Sequence, residues 1–295
     1  MINAVLVLDK PAAFTSHDVV NRVRRITGER SVGHLGTLDP MATGVLPLVL
    51  GRYTRLAQFF NDSVKVYEGE IRFGFSTDTY DAEGELVGPV SSGQPTLAEV
   101  QRHLPALSGR ILQVPPAYSA KKIHGVAAYK LARKDQPVEL MPVEVEVHRF
   151  EIHGVCGDRA RFVAEVSAGT YVRSLAHDLG QALGCGAHLA ELRRTRAGEF
   201  TLAQSITLDR LEGYHALEAD ACGESPYVHP RRILAQMPNV TATPEGVAFL
   251  KHGRAVNLPE FTEAPLVKVF ADQMHLIAIA QRIAGTLFQP KVVLG

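Results

Sequence analysis

One carboxylate, Asp39, lies between a glycine-rich turn and an apolar run in the segment Ser31–Gly51, SVGHLGTLDPMATGVLPLVLG. Glycines such as Gly33 and Gly36 permit positive φ angles and the close approach of a ligand or another backbone. Pro40 biases Asp39 toward an extended conformation, and the run VLPLVL predicts a buried strand directly afterwards. We therefore expect Asp39 at the edge of a core, where a carboxylate can act as a nucleophile or a base. The loop alone leaves a second interpretation open, because aspartate before proline is also typical of a turn or a helix cap.

The elements before and after this loop follow from the hydrophobic pattern. Residues Val5–Leu8 predict a short buried strand, and Thr15 with Asp18 predicts a capping box for a helix that ends near Gly28. Alternation in KVYEGEIRFGF predicts a half-buried strand with Tyr67 on its apolar face. By itself this pattern favours a tyrosine packed in a core.

Further strands and a helix are predicted in the second half of the chain. Residues 143–148 alternate between valine and polar residues, and RFVAEVSAGTYVR predicts a strand that ends at Arg173. The segment SLAHDLGQALG then predicts a helix, with leucines at helical spacing. An arginine at a strand end is also compatible with an ordinary surface ion pair.

Composition limits the classes of function. A length of 295 residues predicts two domains, one large and one small. Basic and acidic residues are equal in number, 31 of each, and the resulting net charge of zero argues against a polycation that coats nucleic acid. Three scattered cysteines indicate a reducing compartment, and the N-terminus carries neither a signal peptide nor a membrane span, so we expect a cytoplasmic protein. The sequence contains no Walker A, HExxH or GxSxG motif and no metal-ligand spacing.

The charges are nevertheless unevenly distributed. From Arg102 to Lys134 there are seven Lys or Arg residues and no Asp or Glu, and Tyr118 and Tyr129 lie among them. Basic residues with interspersed aromatics suit phosphate contacts and base stacking. A surface helix with snorkelling lysines has a similar pattern.

The segment GHLGTLDPMATGVLPLVLG resembles the catalytic loop of the TruB family of tRNA pseudouridine synthases, and KVYEGEIRF, GTYVRSL and LGCGAHLAELRR resemble further motifs of that family in the expected order. The resemblance covers nearly all of residues 9–194, and the tail from Val240 is similar to a PUA domain. It implies an α+β fold, the pseudouridine synthase fold with a mostly antiparallel mixed sheet, plus a small C-terminal PUA-like β-barrel. The implied domains are a catalytic domain at 1–233, with an RNA-gripping insertion at about 114–140, and an RNA-binding domain at 240–295.

The resemblance also implies roles for individual residues. Asp39 is the implied catalytic carboxylate, Arg173 its ionic partner, and Tyr67 the residue that stacks on uracil and helps to move a proton. Residues implied to bind substrate are His34, Leu192, Tyr171, Lys121, Lys122 and Arg194. Residues implied to shape the site are Lys10, Pro11, Gly33 and Gly36.

The activity implied is the isomerisation of uridine to pseudouridine at position 55 in the T-arm loop of tRNA, on a flipped-out base, without metal or other cofactor. We expect tRNA as the partner, no membrane association, no obligatory protein partner and a monomer. Two alternatives are a tRNA-binding or RNA-folding protein whose catalysis is dispensable, and a guide-RNA-dependent pseudouridine synthase. The basic segment Lys121–Lys134 favours a stand-alone enzyme, because such an insertion can grip RNA without partner proteins.

Overall fold

The computed structural model describes residues 2–119, 121–123, 125–132, 134, 140–216 and 225–295. It divides into two compact units. The first comprises Met1–Asp39, Val45–Asn61 and Glu199–Gly295, and the second comprises Pro40–Gly44 and Asp62–Gly198. The first unit therefore includes both ends of the chain, and the second is built mainly from its middle.

Strands form most of the regular structure, and helices lie between them along the chain. The strands are β1 (Ala4–Lys10), β2 (Val32–His34), β3 (Thr43–Leu50), β4 (Lys65–Phe73), β5 (Ser76–Thr77), β6 (Leu86–Val87), β7 (Gly109–Gln113), β8 (Lys122–Ile123), β9 (Val126–Ala127), β10 (Val143–Cys156), β11 (Arg159–Val166), β12 (Ala187–Ala197), β13 (Phe200–Thr201), β14 (Tyr227–Val228), β15 (Asn239–Thr241), β16 (Val256–Asn257), β17 (Leu266–Phe270), β18 (Leu276–Ala284) and β19 (Leu287–Val293). The α-helices are α1 (Ser16–Thr27), α2 (Leu97–His103), α3 (Ala128–Ala132), α4 (Val172–Leu183), α5 (Leu208–Ala216) and α6 (Pro244–Lys251), and 3-10 turns occur at Gly51–Phe59, Leu104–Leu107 and Leu202–Gln204. Within the described ranges, no helix is both long and apolar enough to cross a bilayer.

The second unit is a sheet covered by helices. Its strands follow the order β12–β4–β11–β10–β7, with antiparallel neighbours throughout. Thr43 and Gly44, the first residues of β3, pair in parallel with Arg193 and Arg194 of β12. Helix α4 packs against β12, and α2 packs against β10 and α4. The sheet is therefore mixed and mostly antiparallel, as the resemblance implies.

In the first unit, β1 lies between β14 and β3, and β2 pairs with the other part of β3. Residues Val5–Leu8 within β1 are fully buried, and β3 is buried along almost its whole length. Both predicted buried strands are confirmed.

The C-terminal part of the first unit forms a second sheet, in the order β15–β17–β18–β19–β16. Helix α6 packs on β18 and β19, and Leu250, Val267 and Phe288 belong to the core beneath it. The tail thus forms a five-stranded sheet. Its closure into a PUA-like barrel stays a prediction.

Helix α1 begins and ends where its sequence signals predict. The Thr15 side chain accepts a hydrogen bond from the Asp18 amide, and the Asp18 carboxylate accepts one from the Thr15 amide, which completes the capping box. Gly28 follows the last turn in a left-handed conformation, with φ 68°. The helix is therefore specified locally at both ends.

The strand predicted to end at Arg173 is wrong in its extent. Strand β11 ends at Val166, and Arg173 lies in the first turn of α4. A turn at residues 167–170 separates them, in which the Thr170 amide donates to the Ser167 carbonyl and Gly169 has φ 85°. The positive φ of Gly169 interrupts the extended backbone, so Arg173 occupies a helix N-terminus and not a strand end.

Gly44 lies where two backbones approach closely. Its φ is 101°, and a Cβ atom at this position would lie 2.2 Å from the carbonyl oxygen of Arg194. The parallel pairing of β3 with β12 therefore requires glycine here, for backbone conformation and for space.

We predict that Gly44→Ala destabilises the protein by roughly 3 kcal/mol, because strain from the positive φ adds to the clash with Arg194. Gly28→Ala is the matched control, since Gly28 also has a positive φ but no atom lies within 4 Å of the added Cβ. That variant should lose about 1 kcal/mol. Urea unfolding of both variants measures the difference in the free energy of unfolding. Equal losses of stability would show that the close approach of Gly44 to β12 does not exclude a Cβ atom.

Candidate active site

The residue before Asp39 is fixed to the start of α1. The Leu38 amide donates to the Ser16 hydroxyl at 2.8 Å, and the same hydroxyl donates to the Leu38 carbonyl at 3.0 Å. Both Ser16 and Leu38 are buried, whereas Asp39 is partly exposed. This pair of bonds sets the direction in which the chain enters Asp39. Sequence reasoning missed Ser16, although its position directly after the helix cap was readable.

Lys10 stabilises the turn that leads into α1. Its side chain is fully buried, and its Nζ donates to the carbonyls of Pro11 at 2.9 Å and Phe14 at 2.6 Å. The turn ends at Thr15, the cap of α1, so Lys10 and Pro11 support the helix end that holds Leu38. An ammonium group removed from water needs such carbonyl partners.

The other end of the loop begins at β2. Gly33 pairs with Val49 and His34 pairs with Leu48, and the Leu35 amide donates to the Pro47 carbonyl at 2.9 Å. Gly36 then turns the chain with φ 108°. His34 is half-buried. Asp39 thus follows a paired strand and a glycine turn, which is compatible with a carboxylate presented from a defined loop.

Tyr67, Leu192 and Arg194 lie on one face of the second unit's sheet. Tyr67 of β4 is the direct partner of Arg194 on β12, and Leu192 is the partner of Gly69. Because side chains alternate along a strand and direct partners share a face, these three project to the same side. All three are buried, Arg194 completely.

Lys65 adds positive charge to this face, two residues before Tyr67 on β4. Burial, and secondly the charge of Arg194, lower the pKa of Lys65 to about 8. Its Nζ donates to the Ser63 carbonyl at 2.8 Å. Sequence reasoning missed Lys65. An aromatic ring next to cations suits a base with its phosphate nearby.

Arg173 forms a buried ion pair with Asp81. One guanidinium nitrogen, Nη1, lies 3.2 Å from Asp81 Oδ2 and donates to the Thr79 carbonyl at 3.0 Å, and Nη2 donates to the Tyr118 carbonyl at 3.1 Å. Side-chain exposure is only 6% for Arg173 and 3% for Asp81. The second carboxylate oxygen of Asp81 accepts from the Thr79 hydroxyl at 2.6 Å and the Glu83 amide at 3.1 Å. The guanidinium is therefore held in one orientation.

The N-terminus of α4, which carries Arg173, is fixed to β7. The Gln113 side-chain amide donates to the Tyr171 carbonyl at 3.1 Å, and its oxygen accepts from the Tyr171 amide at 2.8 Å. The Ser174 hydroxyl donates to the Val114 carbonyl at 2.9 Å. Tyr171 itself is half-buried at the cap position. Neither Asp81 nor Gln113 was identified from the sequence, because each lies far from Arg173 along the chain.

Lys121 and Lys122 belong to a small hairpin, in which β8 pairs with β9 before α3. Lys121 is exposed, and its carbonyl accepts from the Ala128 amide at 2.7 Å. The side chain of Lys122 and several other residues of the predicted 114–140 insertion lie outside the described residues.

The site residues thus form three sets. Tyr67, Leu192 and Arg194 share a sheet face, and Arg173 and Tyr171 lie at the start of α4, all in the second unit. Asp39, His34, Gly33, Gly36, Lys10 and Pro11 belong to the first unit, around the start of α1 and the end of β2. The lysines of the hairpin are separate from both groups in the chain.

Comparison with known proteins identifies the family. Residues 24–172 match the model of the TruB family pseudouridylate synthase N-terminal domain, and residues 173–237 match that of the tRNA pseudouridylate synthase B C-terminal domain. The chain is 46% identical to tRNA pseudouridine synthase B of Solibacter usitatus, over 99% of this chain and 100% of that protein. It is 41% identical to the protein of the same name from Stutzerimonas stutzeri, over 95% of this chain and 92% of that protein.

Among solved structures, the fold is similar to a chain in an H/ACA RNP bound to a substrate RNA containing 2'-deoxyuridine. The TM-score is 0.72 with 26% identity, over 99% of this chain and 85% of that one. Together with the full-length matches in sequence, this likeness supports one assignment: the chain belongs to the TruB family of pseudouridine synthases.

Proposed function

We propose that this protein converts uridine to pseudouridine at position 55 in the T-arm loop of tRNA. The observation that carries the proposal is the match along the whole chain to relatives named tRNA pseudouridine synthase B. In the reaction the bond from the ribose C1' to N1 of uracil breaks and a bond from C1' to C5 forms. The C5 proton is lost and N1 gains one, so the reaction is a redox-neutral isomerisation and we propose that no cofactor takes part.

Asp39 is the proposed catalytic carboxylate. Attack on the base, attack on the sugar and abstraction of a ribose proton each require an ionised acid in a defined position. The bonds between Ser16 and Leu38 support this role, because they fix the backbone that enters Asp39. A carboxylate on an unrestrained loop would lose much of the benefit of orientation.

Arg173 is proposed to keep that carboxylate charged. An arginine beside a carboxylate favours its ionised form, and a planar guanidinium can donate two parallel hydrogen bonds. The contacts with Asp81 and two carbonyls support the role, because they hold the guanidinium without requiring movement during the reaction.

Tyr67 is proposed to stack on the extracted uracil, with Leu192 packed against the base. Their shared face on the sheet supports this arrangement. A phenol is a weak base at neutral pH, so we rank stacking above proton transfer. Arg194 and Lys65 supply positive charge to the same face, which favours binding of the RNA phosphates on either side of the extracted uridine.

The remaining proposals concern the grip on RNA. His34 has the size to fill the gap left by the flipped nucleotide, which lowers the cost of unstacking. Lys121, Lys122 and Tyr171 are proposed to contact the T-arm, and the C-terminal sheet at 240–295 to be part of a PUA-like RNA-binding barrel. We also propose that the enzyme works in the cytoplasm as a monomer without an obligatory partner.

The alternative of a guide-RNA-dependent enzyme has weaker support. Identity is 46% with a protein named tRNA pseudouridine synthase B and 26% with the chain from the H/ACA RNP. The alternative of an RNA-folding protein shares the same docking surfaces, so it differs only in whether Asp39 is needed.

We predict that the purified protein forms pseudouridine at one T-arm uridine of an unmodified tRNA transcript, without metal or guide RNA. We also predict that Asp39→Asn abolishes the product, while its affinity for tRNA stays within about twofold of the wild type. Asp209→Asn is the matched control, because Asp209 is an exposed aspartate of the same unit. Chemical labelling of pseudouridine maps the product. Absence of product from the wild type would refute the enzymatic function, and product at another uridine would refute only the substrate.

We predict that Arg173→Lys lowers turnover by ~100-fold, because an ammonium cannot replace the guanidinium fork. The fold should persist, since lysine keeps a positive charge near the buried Asp81. Arg72→Lys is the control, because Arg72 forms a half-exposed ion pair with Asp158. Single-turnover kinetics and a tRNA binding titration check the prediction. If Arg173→Lys weakened binding as much as turnover, Arg173 would instead hold a phosphate.

A further inference from the structure

Next to the Arg173–Asp81 pair, two rings stack. The centroids of the Tyr80 and His177 rings are 3.8 Å apart, and the ring planes differ by 13°. Tyr80 directly precedes Asp81 in the loop between β5 and β6, and His177 lies four residues after Arg173 on α4. Residues four apart lie on the same face of a helix. The loop therefore touches this face at two adjacent points, one ionic and one aromatic.

Tyr80 adopts an unusual backbone conformation to reach this position. Its φ is 64°, in the left-handed region that bulky side chains rarely adopt. Hydrogen bonds fix the backbone on both sides: the Tyr80 amide donates to the Thr77 carbonyl at 3.2 Å, and the Tyr80 carbonyl accepts from the Leu189 amide at 2.9 Å. A strained residue persists only where its surroundings determine it, and the stacked ring is part of those surroundings.

Backbone bonds to β12 alone leave the loop attached on one side. Besides the bond at Tyr80, the Ala82 amide donates to the Leu189 carbonyl at 3.0 Å. These bonds fix the loop relative to the sheet. Three contacts described here fix it relative to α4: the Tyr80 ring on His177, the Asp81 carboxylate on Arg173, and the Thr79 carbonyl, which accepts from the Arg173 guanidinium.

The His177 imidazole presents a flat ring face to Tyr80. Its Nδ1 is buried without a hydrogen-bond partner in the described part of the chain. Burial lowers the pKa of His177, so the ring is neutral near pH 7 and places no second cation one turn from Arg173. Burial raises the pKa of the neighbouring Asp178 to about 6, and burial together with Asp178 raises the pKa of Tyr80. The Tyr80 phenol therefore stays neutral too.

We propose that Tyr80 is a positioning residue: by stacking on His177 it holds Asp81, and through Asp81 the Arg173 guanidinium, in the orientation that the reaction uses. This inference rests on the proposed role of Arg173 in pseudouridine formation. The stack contributes no group to the chemistry, and it sets where the guanidinium points before substrate arrives. Its loss should therefore lower kcat and leave KM for tRNA nearly unchanged.

The test compares Tyr80→Asn with Tyr80→Phe. Asparagine tolerates the left-handed conformation but removes the ring, and phenylalanine keeps the ring but removes the hydroxyl. We expect kcat to fall about tenfold in Tyr80→Asn, with KM within about twofold, and to be kept in Tyr80→Phe. Adding His177→Ala to Tyr80→Asn should cause little further loss, because the two rings act as a pair. Wild-type kcat in Tyr80→Asn, or an equal loss in Tyr80→Phe, would overturn the proposal.

A second measurement does not depend on activity. Hydrogen exchange at the Ala82 and Glu83 amides measures how often the loop opens locally, because the Glu83 amide donates to Asp81 Oδ1. Tyr80→Asn should lose protection there and Tyr80→Phe should keep it, while unchanged protection in Tyr80→Asn would refute the positioning role. A wild type that forms no pseudouridine would instead refute the proposed function, and the exchange data would still decide whether the stack holds the loop.

Discussion

In the second unit a guanidinium and a carboxylate, Arg173 and Asp81, are both removed from water. Moving either ion alone into the interior costs several kcal/mol, and attraction between them offsets this only when their other hydrogen-bonding groups are also satisfied. Here both terminal nitrogens of Arg173 donate to backbone carbonyls, and Asp81 accepts from a hydroxyl and an amide. The Arg173 guanidinium therefore connects three segments by hydrogen bonds: the loop between β5 and β6, the segment at Tyr118 and the start of α4. If any of them moved, a buried ion would lose a partner.

The same principle applies at a smaller scale around Asp39. Lys10 is buried against two carbonyls of the turn before α1, and the Ser16 hydroxyl bonds both backbone groups of Leu38. Buried polar groups that are fully bonded hold a single backbone arrangement. The backbone before Asp39 and the side chain of Arg173 are thus each held by a local hydrogen-bond network within their own unit. This preorganisation is what electrostatic catalysis requires, because groups already in place need not reorganise as charge develops.

Much of the local structure was predictable from the sequence, because its signals are local. The capping box of Thr15 and Asp18 and the glycine at position 28 define the limits of α1. The alternation of apolar and polar residues predicts strand β4, with the Tyr67 side chain on its buried face. The motifs that resemble TruB also located the candidate site. The extent of the strand before Arg173 was mispredicted, because the alternating pattern continues past Val166 and does not reveal the turn at Gly169.

What could not be predicted depends on contacts between distant segments. Asp81 was not predicted as a site residue, since no periodicity shows that it meets a helix residue 92 positions later. Ser16 and Lys65 were missed for the same reason. Ser16 bonds a loop residue 22 positions away, and the pKa of Lys65 is lowered by burial and, secondly, by Arg194 on a neighbouring strand. The stack of Tyr80 on His177 also requires a backbone conformation that sequence reasoning would assign to glycine or asparagine.

The most direct measurement is a crystal structure of the protein bound to a T-arm RNA hairpin. The predicted result is one uridine extruded from the loop and stacked on Tyr67, with the Asp39 carboxylate within hydrogen-bond distance of the Arg173 guanidinium and facing that nucleotide. An Asp39 side chain that points into bulk water, remote from both the Tyr67 phenol and the Arg173 guanidinium while RNA is bound, would contradict it.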